Sequence, residues 1–251
     1  MSEVTVAIPT FRRPQGLKRL LDALAKLETT ANVSVLIADN DAEKHEGHDL
    51  CQQIRTSGYR WPLRSVIVTE RGIAQVRNAL VENALADPHM QFVAMLDDDE
   101  WPEPQWLDVF LRAQSTTGAD VLQGSILFDF EHQPDAWAAH FDGMQDIRST
   151  SGPCEMLQGA GNLLIARSAL ETLPRPWFDP AFALTGGEDR DFFMRLKTNG
   201  AHFAWSDEAL AHTIVPASRT SLKWALSRAY SIGNSDMRVF LKYGPSLGAK
   251  V

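Results

Sequence analysis

The chain has 251 residues, 44% of them hydrophobic, enough to bury a sizeable core as one large domain or as a core with a small appendage. A formal net charge of −8 and the lack of any long Lys/Arg run argue against a nucleic-acid binder. The opening M-S-E-V-T-V-A-I-P does not read as a signal peptide, and no apolar span is long enough to cross a bilayer. Cys51 and Cys154 stand far apart without metal-ligand spacing, so the expectation is a cytoplasmic protein with free thiols.

In chain order, residues 4–9 read as a short apolar strand ended by Pro9-Thr10. Pro14 opens a helix in which Leu17, Leu20, Leu21, Leu24 and Leu27 form one apolar stripe. A second buried-type strand over 33–38 closes on Asp39-Asn40-Asp41, and a helix over 48–56 follows. Residues 63–69 form a third strand. After Gly72, the apolar positions Ile73, Val76 and Leu80 repeat at helical spacing to about residue 86, where Asp87-Pro88 breaks the helix. The run Phe92–Leu96 is apolar throughout, as in a strand buried on both faces of a parallel sheet. Strand and helix alternate through short links, which predicts an α/β fold with a parallel, doubly wound first half.

Fused to that last strand are four consecutive carboxylates, Asp97, Asp98, Asp99 and Glu100. Adjacent carboxylates repel, and at a buried strand end the repulsion is poorly screened. A divalent cation relieves it, and hard oxygen ligands suit Mg²⁺ or Mn²⁺. A solvated acidic turn before a helix would account for one Asp, not for four acids. Ligands of open α/β sheets also bind beyond the carboxyl ends of the strands, where this cluster falls.

Pro102 and Pro104 then start a helix with Trp106, Val109 and Phe110 on its buried face. Residues 119–130 read as a strand, and 131–154 as a long loop rich in His, Asp, Gly and aromatic residues. G-A-G-N leads into an apolar strand ending at Ile165. Gly186-Gly187-Glu188-Asp189 opens a helix over 190–198, and short strands follow at 201–205 and 209–215. Residues 221–240 form a basic amphipathic helical stretch broken near Gly233.

With these pieces in order, the chain resembles the inverting, GT-A-fold glycosyltransferases of family 2. The motifs are V-A-I-P-T-F-R-R-P, I-A-D-N, R-G-I-A-Q-V-R-N-A, L-D-D-D-E, G-G-E-D-R-D-F and H-T-I-V-P. The wording of I-A-D-N-D-A-E and G-G-E-D-R-D-F-F is similar to the exopolysaccharide-assembly branch, such as succinoglycan glucosyltransferases. The resemblance implies a GT-A catalytic domain over 1–220, with a nucleotide-binding half at 1–101 and an acceptor half at 102–220, and a helical extension over 221–251. It implies transfer of a hexose from a nucleotide diphosphate sugar, UDP-linked, to a saccharide or polyprenyl-linked acceptor in bacterial surface polysaccharide synthesis.

The resemblance also implies roles. Pro9, Thr10, Arg12 and Asp39 would line the nucleotide pocket, although Asp39 reads equally well as an Asx-turn residue. Arg71 and Arg77 would receive the diphosphate beside the helix that starts at Gly72, and Arg219 would clamp it. For both Arg71 and Arg77, ordinary surface pairing stands as the alternative. Asp97 and Asp98 would hold ribose and orient the metal, Asp99 would bind the cation, and His212 would complete the metal set, although a lone His beside a strand reads more readily as structural. Asp189 would be the general base, with Glu188 holding a sugar hydroxyl; an acidic first helical turn is the rival reading. Asp191 reads as structural. Trp137, His140 and Phe141 in the long loop are candidates for acceptor stacking. Trp224, Arg228 and Tyr230 read as core, with acceptor lipid as the alternative, and Lys223, Arg228, Arg238 and Lys242 read as a solvated helix face, with peripheral contact at the inner face of the plasma membrane as the alternative. Members of this branch often continue into an apolar tail, so the sequence is expected to be a truncated form. Two rival functions are a sugar-1-phosphate nucleotidyltransferase, against which P-T-F-R-R-P stands in place of a Gly-rich loop, and a non-catalytic saccharide- or nucleotide-binding module, against which the intact acidic motifs weigh.

Overall fold

The computed structural model describes residues 1–244, without the side chains of residues 139, 140 and 142. The chain begins with β1 (Glu3–Thr10), α1 (Pro14–Leu24), β2 (Asn32–Asp39), α2 (Glu46–Thr56), β3 (Leu63–Ile67), α3 (Ile73–Leu85) and β4 (Phe92–Met95). Then come β5 (Glu100–Pro102), α4 (Trp106–Thr117), β6 (Val121–Phe130), β7 (Gly152–Cys154), β8 (Leu163–Ala166) and α5 (Arg167–Glu171). The chain closes with α6 (Glu188–Thr198), β9 (Phe203–Val215) and α7 (Leu222–Tyr243).

One sheet runs through the molecule in the order β3-β2-β1-β4-β8-β6-β9-β5, with β7 paired to β9. The first four strands of that order are mutually parallel, as the strand–helix alternation predicts. Antiparallel pairing begins at β8, which lies between β4 and β6. Successive residues of the parallel strands feed opposite layers. Val6, Ile8, Val35 and Ile37 pack under α1, α2 and α4, whereas Ala7, Leu36 and Ala38 pack under α3 and α6. A strand buried on both faces has no polar face to show, hence its unbroken apolar sequence. All five leucines of the α1 stripe are buried.

Three local expectations give way. β9 is one strand rather than two, because the β6–β9 register shifts between Gly124 and Ile126. That bulge absorbs the polar Ser206-Asp207-Glu208 step, and Asp207 is held by Ser125 and Arg148. α7 runs unbroken through Gly233. A helical glycine costs about 1 kcal/mol, and tertiary anchors just beyond it offset that. Ser235 Oγ donates to the Thr185 carbonyl, and Asp236 pairs with Arg190. The three-residue β5 gave no periodic signal; it adds Pro102 at the sheet edge, where a missing N–H is tolerated.

Candidate active site

The acidic run follows β4 directly, at the carboxyl ends of β1, β2 and β4. Asp97 and Glu100 close a turn on each other. The Glu100 amide donates to the Asp97 carbonyl at 3.0 Å, and Glu100 Oε2 accepts the Asp97 amide at 3.0 Å. Burial, reinforced by Asp97, drives the Glu100 carboxyl well above the usual carboxylate range. Gly161 of the G-A-G-N loop closes over it, and a Cβ there would stand only 2.3 Å from Glu100 Oε1. Asn162 pins the same loop. It accepts from Trp106 Nε1 at 2.6 Å and donates to the Ser125 and Ala209 carbonyls at 2.8 Å.

Asp98 is 5% exposed and accepts from Thr10 Oγ1 at 2.8 Å and from Arg13 at 3.1 Å. Burial pushes its carboxyl up to about 6, with Arg13 and the Thr10 hydroxyl opposing. Asp99 is more open; Arg13 lies 2.6 Å from its Oδ2 and Arg219 3.9 Å. Among the described residues no three His, Cys, Asp or Glu side chains form a metal cage. Asp97 and Asp99 nevertheless keep accessible oxygens, with side chains 38% and 28% exposed. That donor set suits Mg²⁺ or Mn²⁺, which bind through one or two carboxylates and take their remaining oxygens from substrate phosphates and water.

Arg77 links this cluster to the G-G-E-D turn. It is 5% exposed on α3, with Nη2 3.2 Å from Asp97 Oδ1 and Nη1 2.5 Å from Glu188 Oε1. Burial raises the Glu188 carboxyl above its ordinary value, and the Arg77 guanidinium opposes the rise. Gly186 and Gly187 lie at φ +75° and +95°, in the left-handed region that glycine enters at least cost. They turn the chain so that Glu188 points inward while Asp189 faces open space. Asp189 Oδ1 accepts the Arg190 amide at 2.7 Å, and its Oδ2 faces Gly159. Asp191 is fully buried and bound by Lys242 and Tyr243, a structural role as its helical position predicts.

Two cavities, of about 690 and 640 Å³, meet at a waist formed by Arg77, Asp97, Glu100, Ile126, Ile147 and Arg228. The first holds Pro9, Thr10, Arg71, Asp98, Asp99 and Arg219, as the sequence predicts, together with Phe11, Arg13 and Asn40. The second holds Glu188 and Asp189, opposite Gln123, Gln158 and Gly159, and α7 closes it with Ser231 and Ser235.

Several expected residues lie elsewhere. Arg12 sits at φ +55° and turns outward to Asp41 and Glu43, which brings Arg13 to the acids instead. Asp39 is fully buried, with one oxygen accepting the Asp41 amide and the other the His48 amide, both at 2.9 Å; this is the Asx-turn alternative. Its neighbour Asn40 lines the cavity and ties the turn to Gly72 and Glu70. His212 stacks on Trp101, with Nε2 2.9 Å from Glu103 and Nδ1 3.3 Å from Asp129, and lines neither cavity. Cross-strand pairing of β9 with β5 commits that ring to the sheet edge. Trp137 packs with Ala138, Met144, Ala225 and Trp224, joining the long loop to α7 rather than facing the cleft. His140 belongs to a short 3-10 turn, and its side chain lies outside the described residues. From that loop Ile147, not an aromatic residue, reaches both cavities.

The terminal helix also departs from expectation. Tyr230 is 80% exposed rather than core, and Arg228 faces the cleft. Arg238 bonds to Thr185 and Ala181, and Lys242 lies between Asp179 and Asp191. Arg228, Arg238 and Lys242, three of the four cations read as a solvated or lipid-facing set, therefore turn toward the protein or its cleft. What α7 shows outward is an apolar stripe of Leu222, Leu226, Tyr230, Met237, Phe240 and Leu241. No helix among the described residues is long and apolar enough to cross a membrane.

The model of the family described as Glycosyl transferase family 2 matches residues 5–173. The succinoglycan biosynthesis protein ExoM of Rhizobium meliloti is 30% identical over 239 residues, covering 94% of this chain and 74% of that protein. The chondroitin synthase of Escherichia coli is 23% identical over 243 residues, and the match spans only 34% of its length. Among solved structures, S. aureus TarS 1-349 in complex with UDP superposes with a TM-score of 0.63 at 18% identity, over 86% of this chain and 61% of that one. GalNAc-T7 with UDP, GalNAc and Mn²⁺ gives 0.64 at 14% identity, over 86% of this chain and 44% of that one. The α/β sheet is thus that of the GT-A fold.

Proposed function

The chain belongs to glycosyl transferase family 2, and on that premise we propose that it moves a hexose from a UDP-sugar to a saccharide or lipid-linked oligosaccharide during bacterial surface polysaccharide synthesis, with inversion. The observation that carries this reading is Arg77, buried between Asp97 and Glu188. Through it the acidic strand end and the candidate base belong to one rigid wall of one cleft. The donor diphosphate occupies the chamber of Arg71, Arg219 and the helix start at Gly72, where guanidinium forks and backbone amides converge on anions. The acceptor enters the chamber of Gln123, Gln158 and Asp189. Its hydroxyl attacks the anomeric carbon as Asp189 takes the proton, and the bond from that carbon to the β-phosphate oxygen breaks on the opposite face. One displacement needs one base, and Asp189, which makes no ion pair among the described residues, faces the second chamber.

Asp99 and Asp97 would hold a divalent cation with the phosphates, and such an ion supplies Lewis-acid stabilisation of the departing diphosphate. TarS was solved with UDP and with UDP-GlcNAc, and GalNAc-T7 with UDP and Mn²⁺, which supports a UDP-linked donor and a divalent ion here. The name of ExoM supports a role in exopolysaccharide assembly. We read 1–220 as the catalytic unit and 221–251 as an extension, of which α7 completes the acceptor wall. For a lipid-linked acceptor, the outer stripe of α7 rests on the cytoplasmic membrane face; co-sedimentation with anionic vesicles that Leu226→Glu abolishes is the expected result.

Calorimetric titration with UDP, with and without Mn²⁺, tests the reading. Binding that requires the ion is expected. No affinity for UDP in the presence of Mn²⁺ would remove the UDP-sugar donor from this reading.

A further inference from the structure

Three guanidinium groups converge on the donor chamber from separate elements and are not saturated by carboxylates. Arg71 lies over the Phe11 ring at 4.5 Å, Arg219 stands 3.9 Å from Asp99, and Arg228 makes no ion pair or hydrogen bond with any described residue. Their placement differs. Arg71 and Arg219 line the donor chamber alone, whereas Arg228 lines both chambers at the waist. The other cation of the waist, Arg77, is committed to Asp97 and Glu188. An unpaired arginine held there has a function to find.

We propose that Arg228 is the leaving-group residue of the transfer, its guanidinium meeting the β-phosphate of the donor as the bond to the anomeric carbon breaks. This deepens the UDP-sugar reading and rests on it. The balance of the step explains why a cation belongs at the waist. The acceptor oxygen forms its bond to the anomeric carbon and gives its proton to Asp189. The electron pair of the old bond leaves on the β-phosphate oxygen, so the diphosphate gains one negative charge during the reaction. The charge develops where sugar and phosphate part, which is between the two chambers. A donor fixed in advance at that point favours the transition state over bound substrate.

The helix is suited to hold it. α7 is tied to the G-G-E-D turn by Ser235 to the Thr185 carbonyl and by Asp236 to Arg190, and its far end by Lys242 to Asp179 and Asp191. Arg228 thus projects from a scaffold anchored to the same turn that carries the candidate base.

The test compares Arg228→Ala and Arg228→Lys with the wild type, using UDP in calorimetry and whichever of UDP-glucose, UDP-galactose or UDP-N-acetylglucosamine the wild type turns over. For Arg228→Ala we expect kcat to fall about 10²-fold, with the donor KM within about threefold and Tm unchanged. UDP affinity should weaken about tenfold, because the product carries the charge that Arg228 meets. Arg228→Lys should recover about one decade of kcat, as a cation without the fork. Unchanged kcat, a rise in KM at constant kcat, or a fall in Tm that lysine does not restore would each overturn the assignment. Wild-type protein that binds UDP while the variants behave alike removes only the role of Arg228; wild-type protein without UDP affinity removes the parent reading with it.

Discussion

The proposed donor chamber is made of strand ends that arrive in chain order, while the proposed acceptor chamber is assembled from segments far apart in sequence. Thr10, Asn40 and Asp97 to Asp99 sit on or just after consecutive parallel strands, so the fold places them by topology alone. Gln123, Gly159, Asp189 and Ser235 come from a strand, a loop and two helices. No local rule brings those together. The two chambers share Arg77, a single buried side chain that both depend on. Strand-end chemistry is set by neighbours in the sheet, whereas acceptor-side chemistry is set by ion pairs that form only after packing.

That contrast can be broken at chosen points. Asp189→Asn removes the proton acceptor while leaving the donor chamber intact. A kcat loss of about 10³- to 10⁴-fold, or ~4–5.5 kcal/mol, is expected with UDP affinity unchanged, read by steady-state kinetics beside calorimetry. Equal turnover by this variant would move the base elsewhere. Arg77→Met strips the shared residue and leaves the Glu188 carboxylate buried without its partner. About 3–5 kcal/mol of stability should be lost in urea unfolding, and UDP binding and activity should fall together, unlike the Asp189 case.

A gentler probe is Gly161→Ala, which places a methyl against Glu100 at the waist. The loop must shift, at about 1–3 kcal/mol, and the expected signature is a raised acceptor KM with UDP affinity retained. Smallest of all is the α7 anchor. The Lys242 ammonium holds the Asp179 carboxyl below its ordinary value. A depressed carboxylate stabilises the fold above its unfolded pKa of 3.8 and loses that contribution as pH falls through the lower folded value. Asp179→Asn should therefore cost under ~1 kcal/mol at neutral pH for so exposed a pair. The difference from wild type should vanish in acid unfolding once the pH is below the lowered folded value, and acceptor kinetics should respond more than donor binding.

The same division governs how legible each part was beforehand. Apolar runs and the Leu17–Leu27 stripe announced the strands and helices of the first half, and the four carboxylates announced its site. Arg12 and Arg13 look alike in P-T-F-R-R-P; only the left-handed backbone at Arg12 decides which of them faces Asp98. Asp39 and Asn40 exchanged roles for a similar reason, since the Asx turn consumes the first carboxylate and leaves the next residue at the cavity. Trp137 offered an aromatic face for sugar stacking, but it packs with Ala138, Met144, Ala225 and Trp224, and burial there won. His212 carried no local sign that Glu103 and Asp129 would claim its ring.

By itself, then, the sequence determined the alternation of buried strands and helices, the acidic strand end, and the glycine-led turn before Glu188 and Asp189. Those features are written in side-chain polarity and backbone freedom over a few consecutive residues. Only the tertiary structure decided that Arg77 bridges Asp97 to Glu188, that Arg13 rather than Arg12 faces the acids, and that α7 walls the cleft with Arg228, which has no ion pair among the described residues. The reason is physical: a charge finds its partner across space, and which charges meet depends on the packing of layers that no short stretch of chain encodes.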